Sequence, residues 1–325
     1  AAVLLRRSNS VDSAKNLSFD ASLADISLCN EIPAELARSF DDFDSLEGGH
    51  AREFIPEECL TPPVLDEGDW LQCVVTREDK LKFRFYVEIG PNEGRFVLSA
   101  VQYGQTFYIS QYESFPSDFD PTDLDMDAPD QKFCAVLKKV ESKDTCEYEL
   151  FALREDTPMV RVRHSSAHFE EPGTDIRTVE VAMRGEAVDA GTPASPKFNW
   201  DIAHPLSSPK SLGRHRSISS GSHGGLRTEE GELLLKNQLP SWNPESECLV
   251  MKFWNNRIRA SSSKNYALYK GADLDAAEDE HDVDLSDAVL QFGKVESGYY
   301  VLDFKAPMSP LNAFAIALSG FAYKV

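Results

Sequence analysis

The residues able to hold or act on another molecule fall into three groups. The first is basic. Arg257 and Arg259 lie two apart in Arg257-Ile258-Arg259, with Lys264 shortly after. Side chains two apart on an extended strand share a face, so this spacing predicts a basic patch suited to phosphate. Lys138 and Lys139 are adjacent, which on a strand sends them to opposite faces. The second group places arginine two or three residues before serine, in Arg6-Arg7-Ser8 and in Arg214-His215-Arg216-Ser217. Ser8 and Ser217 are therefore candidate phosphorylation sites, each gaining about 1.5 to 2 negative charges if modified. The third group is histidine. His164 and His168 are four apart, a metal-holding spacing on a helix, but Val160 to Arg163 alternates as a strand does.

Catalysis needs a constellation, and the chain shows no GxSxG, P-loop, GxGxxG or HExxH pattern. The acidic runs Asp118 to Asp130 and Asp273 to Asp287 lack the spacing and glycine of an EF-hand loop. The expectation is a binding protein with no catalytic residue, metal or cofactor.

Composition narrows the partner. Fifty-four acidic against thirty-three basic residues give a formal charge of -21, which repels polyanions wherever cations are not gathered locally, so no nucleic acid partner is expected. The six cysteines have no CxxC spacing, which fits reduced thiols in a cytoplasmic protein. The densest apolar stretch, Leu311 to Ala322, is well short of the roughly 20 residues that span a bilayer.

The elements that must position these groups are mostly strands. Residues 1–67 carry fourteen acidic and five basic side chains with no apolar period, and are read as a mostly disordered tail in which only Leu23 to Leu28 and Ala34 to Phe40 could form helical turns. From Trp70 onward apolar residues recur two apart: Leu71 to Val75, Phe83 to Ile89, Phe107 to Ile109, Cys134 to Val140, Cys146 to Leu153, Val160 to Arg163, Thr178 to Met183, Cys248 to Phe253, Val289 to Phe292 and Tyr299 to Phe304. Pro91-Asn92-Glu93-Gly94 predicts a hairpin between Phe85–Ile89 and Arg95–Ala100. Many short strands without intervening helices predict an all-β sandwich or barrel. Residues 184–230, rich in Pro, Ser, Gly and His, are read as a disordered insertion, and the acidic stretch 273–287 as a mobile loop.

One segment breaks the alternation. Ser309-Pro310 is a cap residue followed by proline at a first helical position, and Leu311 to Leu318 is apolar on every face. A helix hydrophobic all round must be enclosed, and strands enclosing one helix form a barrel around it. Burial of Phe314, Ile316 and Leu318 is then worth about 1.5 to 3 kcal/mol each.

These C-terminal residues carry a resemblance. Leu290-Gln291-Phe292-Gly293-Lys294-Val295, Asp303-Phe304, Ala313-Phe314-Ala315-Ile316-Ala317-Leu318-Ser319 and Phe321 are similar to the two C-terminal signatures of the tubby family. Asn237 to Asn243, then Arg257, Ala260, Ser261, Lys264 and Asn265, resemble two further family segments, and Leu71-Gln72-Cys73 with Phe83 to Ile89 resembles its first two strands. The likeness spans about residues 68–325 and is most specific at the C-terminal end. It implies a closed antiparallel β-barrel of about twelve strands around a hydrophobic C-terminal central helix.

The resemblance also implies a function: a non-enzymatic adaptor, monomeric, binding phosphatidylinositol 4,5-bisphosphate or a related phosphoinositide and recruiting or trafficking protein partners, with a peripheral plasma-membrane location. The family's site uses a lysine and an arginine two apart on one strand. Along Phe133 to Lys139 the lysine position is Val136 and the arginine position is Lys138. The basic loop before the neighbouring strand is Gln102-Tyr103-Gly104-Gln105 here, and a third basic contribution corresponds loosely to Arg177. Lys138 and Arg177 are thus the implied phosphoinositide ligands, and Arg257, Arg259 and Lys264 a possible second patch. Because Arg257 and Lys264 match the family pattern itself, bracing of the barrel through carboxylates is the expected role for those two. The alternative is a lipid-independent interaction scaffold, or a ubiquitin-ligase-associated protein like the plant members with an F-box.

Overall fold

The computed structural model describes the backbone of residues 2–6 and, within 59–323, all but 64, 66–68, 91–92, 114, 116–118, 122–132, 141–144, 153–154, 170–172, 185–225, 227, 229–230 and 277–282. Ser8 and Ser217, the two possible helical turns of the tail and nearly all of the 184–230 insertion lie outside the described residues.

The expected barrel is present. Twelve antiparallel strands close on themselves: β2 (Cys73–Arg77), β3 (Lys82–Gly90), β4 (Glu93–Tyr103), β5 (Thr106–Ser110), β6 (Phe133–Val140), β7 (Cys146–Ala152), β8 (Val160–Phe169), β9 (Thr174–Arg184), β10 (Glu232–Asn237), β13 (Tyr266–Lys270), β14 (Leu290–Glu296) and β15 (Tyr299–Phe304). The ring runs in that order, with β15 pairing back onto β2. The hairpin expected around Gly94 forms, Phe85 opposite Leu98 and Val87 opposite Arg95. Closure removes the edges that an open sheet of this length would leave unpaired.

Through the ring runs α2 (Pro310–Ala322). Ser309 caps it, its hydroxyl accepting from the Asn312 backbone N–H at 3.2 Å, and Pro310 occupies the first turn where a missing N–H costs nothing. Every residue from Pro310 to Phe321 is buried. Phe314 stacks on Phe85 with centroids 5.3 Å apart, and Phe321 meets Phe83, Phe292 and Tyr300. Alternation supplies the barrel's inward residues and all-round hydrophobicity supplies what fills them.

One expectation is corrected. Cys248 to Phe253 is not a barrel strand: β12 (Cys248–Lys252) joins β11 (Ser241–Asn243) and β1 (Ala2–Arg6) in a small sheet outside the ring. There Leu249 packs on Ala167 and Ile176, while Met251 and Phe253 enter a second apolar cluster with Trp70, Ile258 and Tyr269. From residues 1–67 the described structure includes β1, paired with β12, and the buried Cys59. The described residues of the acidic stretch 273–287 form short elements on either side of 277–282. A short helix, α1 (Gly271–Ala276), buries Leu274, Asp275 pairs with Lys236 at 2.9 Å, and a 3-10 turn spans Leu285–Asp287.

The outer cluster demands one glycine. A Cβ on Gly293 would lie 2.5 Å from Ile258 Cγ2, and Ile258 is fully buried with nowhere to move. Gly293→Ala should destabilise the domain by about 1 to 3 kcal/mol in chemical denaturation. Adding Ile258→Ala should recover part of that loss, since it removes the atoms that clash; an undiminished deficit in the double variant would refute the steric account.

Candidate functional site

The barrel has two ends. The strands β2, β4, β6, β8, β10 and β14 all end where α2 finishes, so the helix C-terminus and six strand ends share one rim. The basic candidates divide according to whether they point into this rim or out of it.

Arg177 points in. It is 9% exposed on β9, where its Nε donates to His164 Nδ1 at 3.2 Å and its Nη1 to the Gly320 carbonyl at 3.3 Å. Its guanidinium also sits over the rings of Tyr266 and Tyr323. Burial lowers its pKa, and the facing tyrosines offset part of that. Because His164 Nδ1 accepts, its Nε2 carries the proton and donates to Ser319 Oγ at 2.9 Å, whose hydroxyl donates to the Ile316 carbonyl at 2.7 Å. Burial foremost, then Arg177 and Lys264, hold the imidazole well below its ordinary pKa and therefore neutral. A polar chain from β9 through β8 thus ties off the last turn of α2, and Arg177 is placed as a brace of the central helix.

Lys264 joins the same end. Its Nζ donates to the Gly320 and Phe321 carbonyls at 3.1 and 3.4 Å. Two cations at the helix C-terminus satisfy carbonyls that have no partner within the helix and oppose the negative end of its dipole. Gly320 is needed here, since a Cβ would meet Arg177 Nη2 at 2.9 Å.

Arg257 braces through carboxylates, donating to Glu88 and to fully buried Asp303. Asp303 also accepts from Cys73 N at 3.1 Å and Gln291 Nε2 at 2.8 Å. Burial pushes its pKa up to about 6 even with Arg257 beside it.

Arg257-Ile258-Arg259 is not a strand, contrary to its spacing. It follows a 3-10 turn at Trp254–Asn256 in which Asn255 and Asn256 adopt positive φ of 57° and 53°, a conformation asparagine tolerates and a strand cannot contain. Arg259 is exposed, but the segment lies along β14, with Ala260 N bonded to Lys294 O. β14 and β6 are six positions apart in a ring of twelve, so Arg259 and Lys138 are across the barrel from each other and form no joint patch.

Lys138 points out. It stands exposed on β6 opposite Thr106 of β5 and Glu149 of β7, its ammonium 5.3 Å from the Phe151 ring centroid. Lys139 has the inward parity of buried Leu137, yet it is exposed because β6 has reached the rim. Val136, two residues before Lys138 on the outer face, is 8% exposed between Tyr108 and Phe151. Tyr108 meets Phe119 edge to face at 5.8 Å. The outer surface beside Lys138 therefore carries Tyr108, Val136 and Phe151 together with the acidic Glu149, with no second cation at the Val136 position.

Two residues of this rim were not singled out from the sequence. Leu81 and Tyr103 are 50% and 53% exposed, at the tips of the β2–β3 and β4–β5 hairpins. The available signal was an apolar residue within each turn, Asp79-Lys80-Leu81 and Tyr103-Gly104, where polar residues are the rule. His164 and His168 hold no shared metal: His164 is interior and His168 is exposed beside Asp175 at 2.8 Å. Among the described residues no group of three or more His, Cys, Asp or Glu is placed to hold a metal ion.

Comparison with known proteins adds the lineage of this arrangement. The model of the Tub family matches residues 60–323. Tubby-like F-box protein 11 of Oryza sativa subsp. japonica is 35% identical over 108 residues, 33% of this chain and 25% of that protein. Tubby-like F-box protein 3 of Arabidopsis thaliana is 35% identical over 112 residues, 34% of this chain and 26% of that protein. Tubby-related protein 2 of Mus musculus is 39% identical over 95 residues, 29% and 15% respectively. The matches thus span about a quarter or less of these relatives' length.

Proposed function

Since the chain belongs to the Tub family, we propose that it is a non-enzymatic adaptor that binds phosphoinositides of the phosphatidylinositol 4,5-bisphosphate class at a membrane surface and recruits or traffics protein partners there. The observation that carries this reading is the placement of Lys138: of the two phosphoinositide ligands implied by sequence, it stands exposed on the outer face at the rim, whereas Arg177 is spent on the central helix. Lys139 beside it adds a second exposed ammonium, and together they supply charge-assisted contacts to phosphate oxygens. One lysine in place of a lysine and arginine pair makes the headgroup contact weaker and more dependent on vesicle charge density. The protein works in the cytoplasm, peripherally at the plasma membrane.

Flotation with phosphatidylcholine vesicles, with and without phosphatidylinositol 4,5-bisphosphate, tests the reading. Recovery should rise with the phosphoinositide and fall by about tenfold in Lys138→Glu, one lost charge-assisted contact being worth roughly 1.5 kcal/mol or more. Equal, negligible recovery on both vesicles would end the lipid claim.

A second reading is favoured by the covered, apolar Val136 surface: a lipid-independent scaffold that binds proteins, in the manner suggested by the F-box relatives' names. It predicts a stable protein complex recovered equally from wild type and Lys138→Glu.

A further inference from the structure

The lipid reading above places a lysine at the rim; the rim itself says how the barrel meets the surface. On the side of the ring where β2 to β6 are consecutive neighbours, two hairpin tips stand side by side, joined by the Gln102 N–H donating to the Leu81 carbonyl at 2.8 Å. Each tip carries one large, exposed apolar side chain, Leu81 and Tyr103. The third exposed large apolar residue among those described, Ile89, belongs to the β3–β4 hairpin at the opposite end.

Neither tip is a slack loop. Asp79 Oδ1 accepts from the backbone N–H groups of Leu81 and Lys82 at 2.7 and 2.9 Å, and Arg77 Nη2 donates to the Lys80 carbonyl at 3.0 Å. In the other turn Gly104 takes a φ of 61° and its carbonyl accepts from Gln102 Nε2 at 3.1 Å. The turn backbones are held by their own polar groups, which fixes where the Leu81 and Tyr103 side chains leave the chain.

The charge around them is basic despite the chain's overall -21. Lys80, Lys138 and Lys139 are exposed at this rim. Of the nearby acids, Glu78 is paired with Arg84 at 2.8 Å, Asp79 is occupied in its turn, and Glu149 of β7 stands opposite Lys138. The acidic remainder of the chain is screened beyond a Debye length of about 8 to 10 Å at physiological salt, so the local lysines set what this rim attracts.

We propose that Leu81 and Tyr103 insert together into the interfacial layer of an anionic membrane while Lys80, Lys138 and Lys139 contact headgroups, orienting the barrel with the C-terminal end of its central helix toward the bilayer. This rests on the lipid reading of the preceding section. A lipid surface fits the shape better than a protein does. Two protruding tips cannot make the roughly 800 Å² per partner of a stable protein interface, whereas a deformable interface accepts isolated apolar side chains flanked by lysines, and tyrosine is suited to that boundary.

The test uses the full chain with vesicles of phosphatidylcholine alone, with phosphatidylserine, and with phosphatidylinositol 4,5-bisphosphate at matched charge. Leu81→Ser/Tyr103→Ser should bind anionic vesicles about tenfold or more weakly than wild type, with an unchanged thermal melt because both residues are exposed. Tyr103→Trp should show a blue-shifted emission and quenching by brominated phosphatidylcholine in anionic vesicles, measured against the spectrum of the four natural tryptophans. Wild-type binding that the double serine variant matches, with indole emission unmoved, would overturn insertion while leaving the headgroup reading intact. No binding by wild type to any vesicle would overturn both.

Discussion

Ile316→Asp should abolish the cooperative unfolding transition of the domain. Ile316 is fully buried in the helix around which the barrel closes, between the apolar Phe314 and Leu318. Replacing it forfeits about 1.5 to 3 kcal/mol of apolar burial and puts a carboxylate into the barrel interior, which costs several kcal/mol more whether it stays charged or takes up a proton. Typical domain stabilities are about 5 to 15 kcal/mol, so the sum removes most or all of the margin. The damage also spreads. The Ile316 carbonyl accepts from Tyr266 Oη and Ser319 Oγ, so displacement of this turn unties the polar chain to His164 and Arg177. Near-ultraviolet circular dichroism through a thermal ramp is the measurement, with Ile316→Val, expected to cost about 0.5 to 1.5 kcal/mol, as the control for size. A variant that melts cooperatively within a few degrees of wild type would mean that α2 is not the core.

Arg257→Ala should cost about 3 to 5 kcal/mol at pH 8 and distinctly less at pH 5.5. The guanidinium is the cation beside Asp303, whose carboxyl is fully buried. Removing one partner of a buried pair leaves the other charge uncompensated, which is the expensive way to break it. The sign of the pH dependence follows from the folded pKa of about 6, above the ordinary carboxylate value because burial outweighs Arg257. The folded state therefore binds a proton at Asp303 before the unfolded chain does, and this group's contribution to stability is greatest below about pH 4 and declines as pH rises through 6. Without Arg257 the carboxyl's pKa rises further, so acidification neutralises the stranded charge and narrows the gap to wild type. Urea denaturation at the two pH values measures it. Arg257→Ala in an Asp303→Asn background should lose much less than in wild type; equal losses in both backgrounds, or a pH-independent deficit, would show that packing of the arginine stem accounts for the effect.

The fate of the basic residues shows where local reasoning stops. For Lys138, adjacency to Lys139 says only that the two take opposite faces of a strand, and the family resemblance singles out Lys138, which stands exposed on β6. Bracing by Arg257 was also an available expectation. Arg177, by contrast, belongs to a run, Thr178 to Met183 and the residues before it, whose spacing marks a strand without saying which members reach the helix end. Its acceptor at Gly320 is 143 residues away, and Arg257 meets Asp303 and Glu88 across 46 and 169 residues. Arg257-Ile258-Arg259 imitates a strand because Ile258 is buried between two charged residues, and only the left-handed Asn255 and Asn256 disclose that the chain has left the sheet.

The architecture follows from local pattern: period-two runs make half-buried strands, Ser309-Pro310 starts a helix, and a helix apolar on every face requires enclosure. These are consequences of geometry within a few residues, and solvent enforces them wherever the segment ends up. Barrel closure sets which cations serve the barrel and which face outward, that β12 lies outside the ring, and that Leu81 and Tyr103 share one rim with Lys138. Those outcomes depend on what closure brings opposite each side chain, and closure is a property of all twelve strands together.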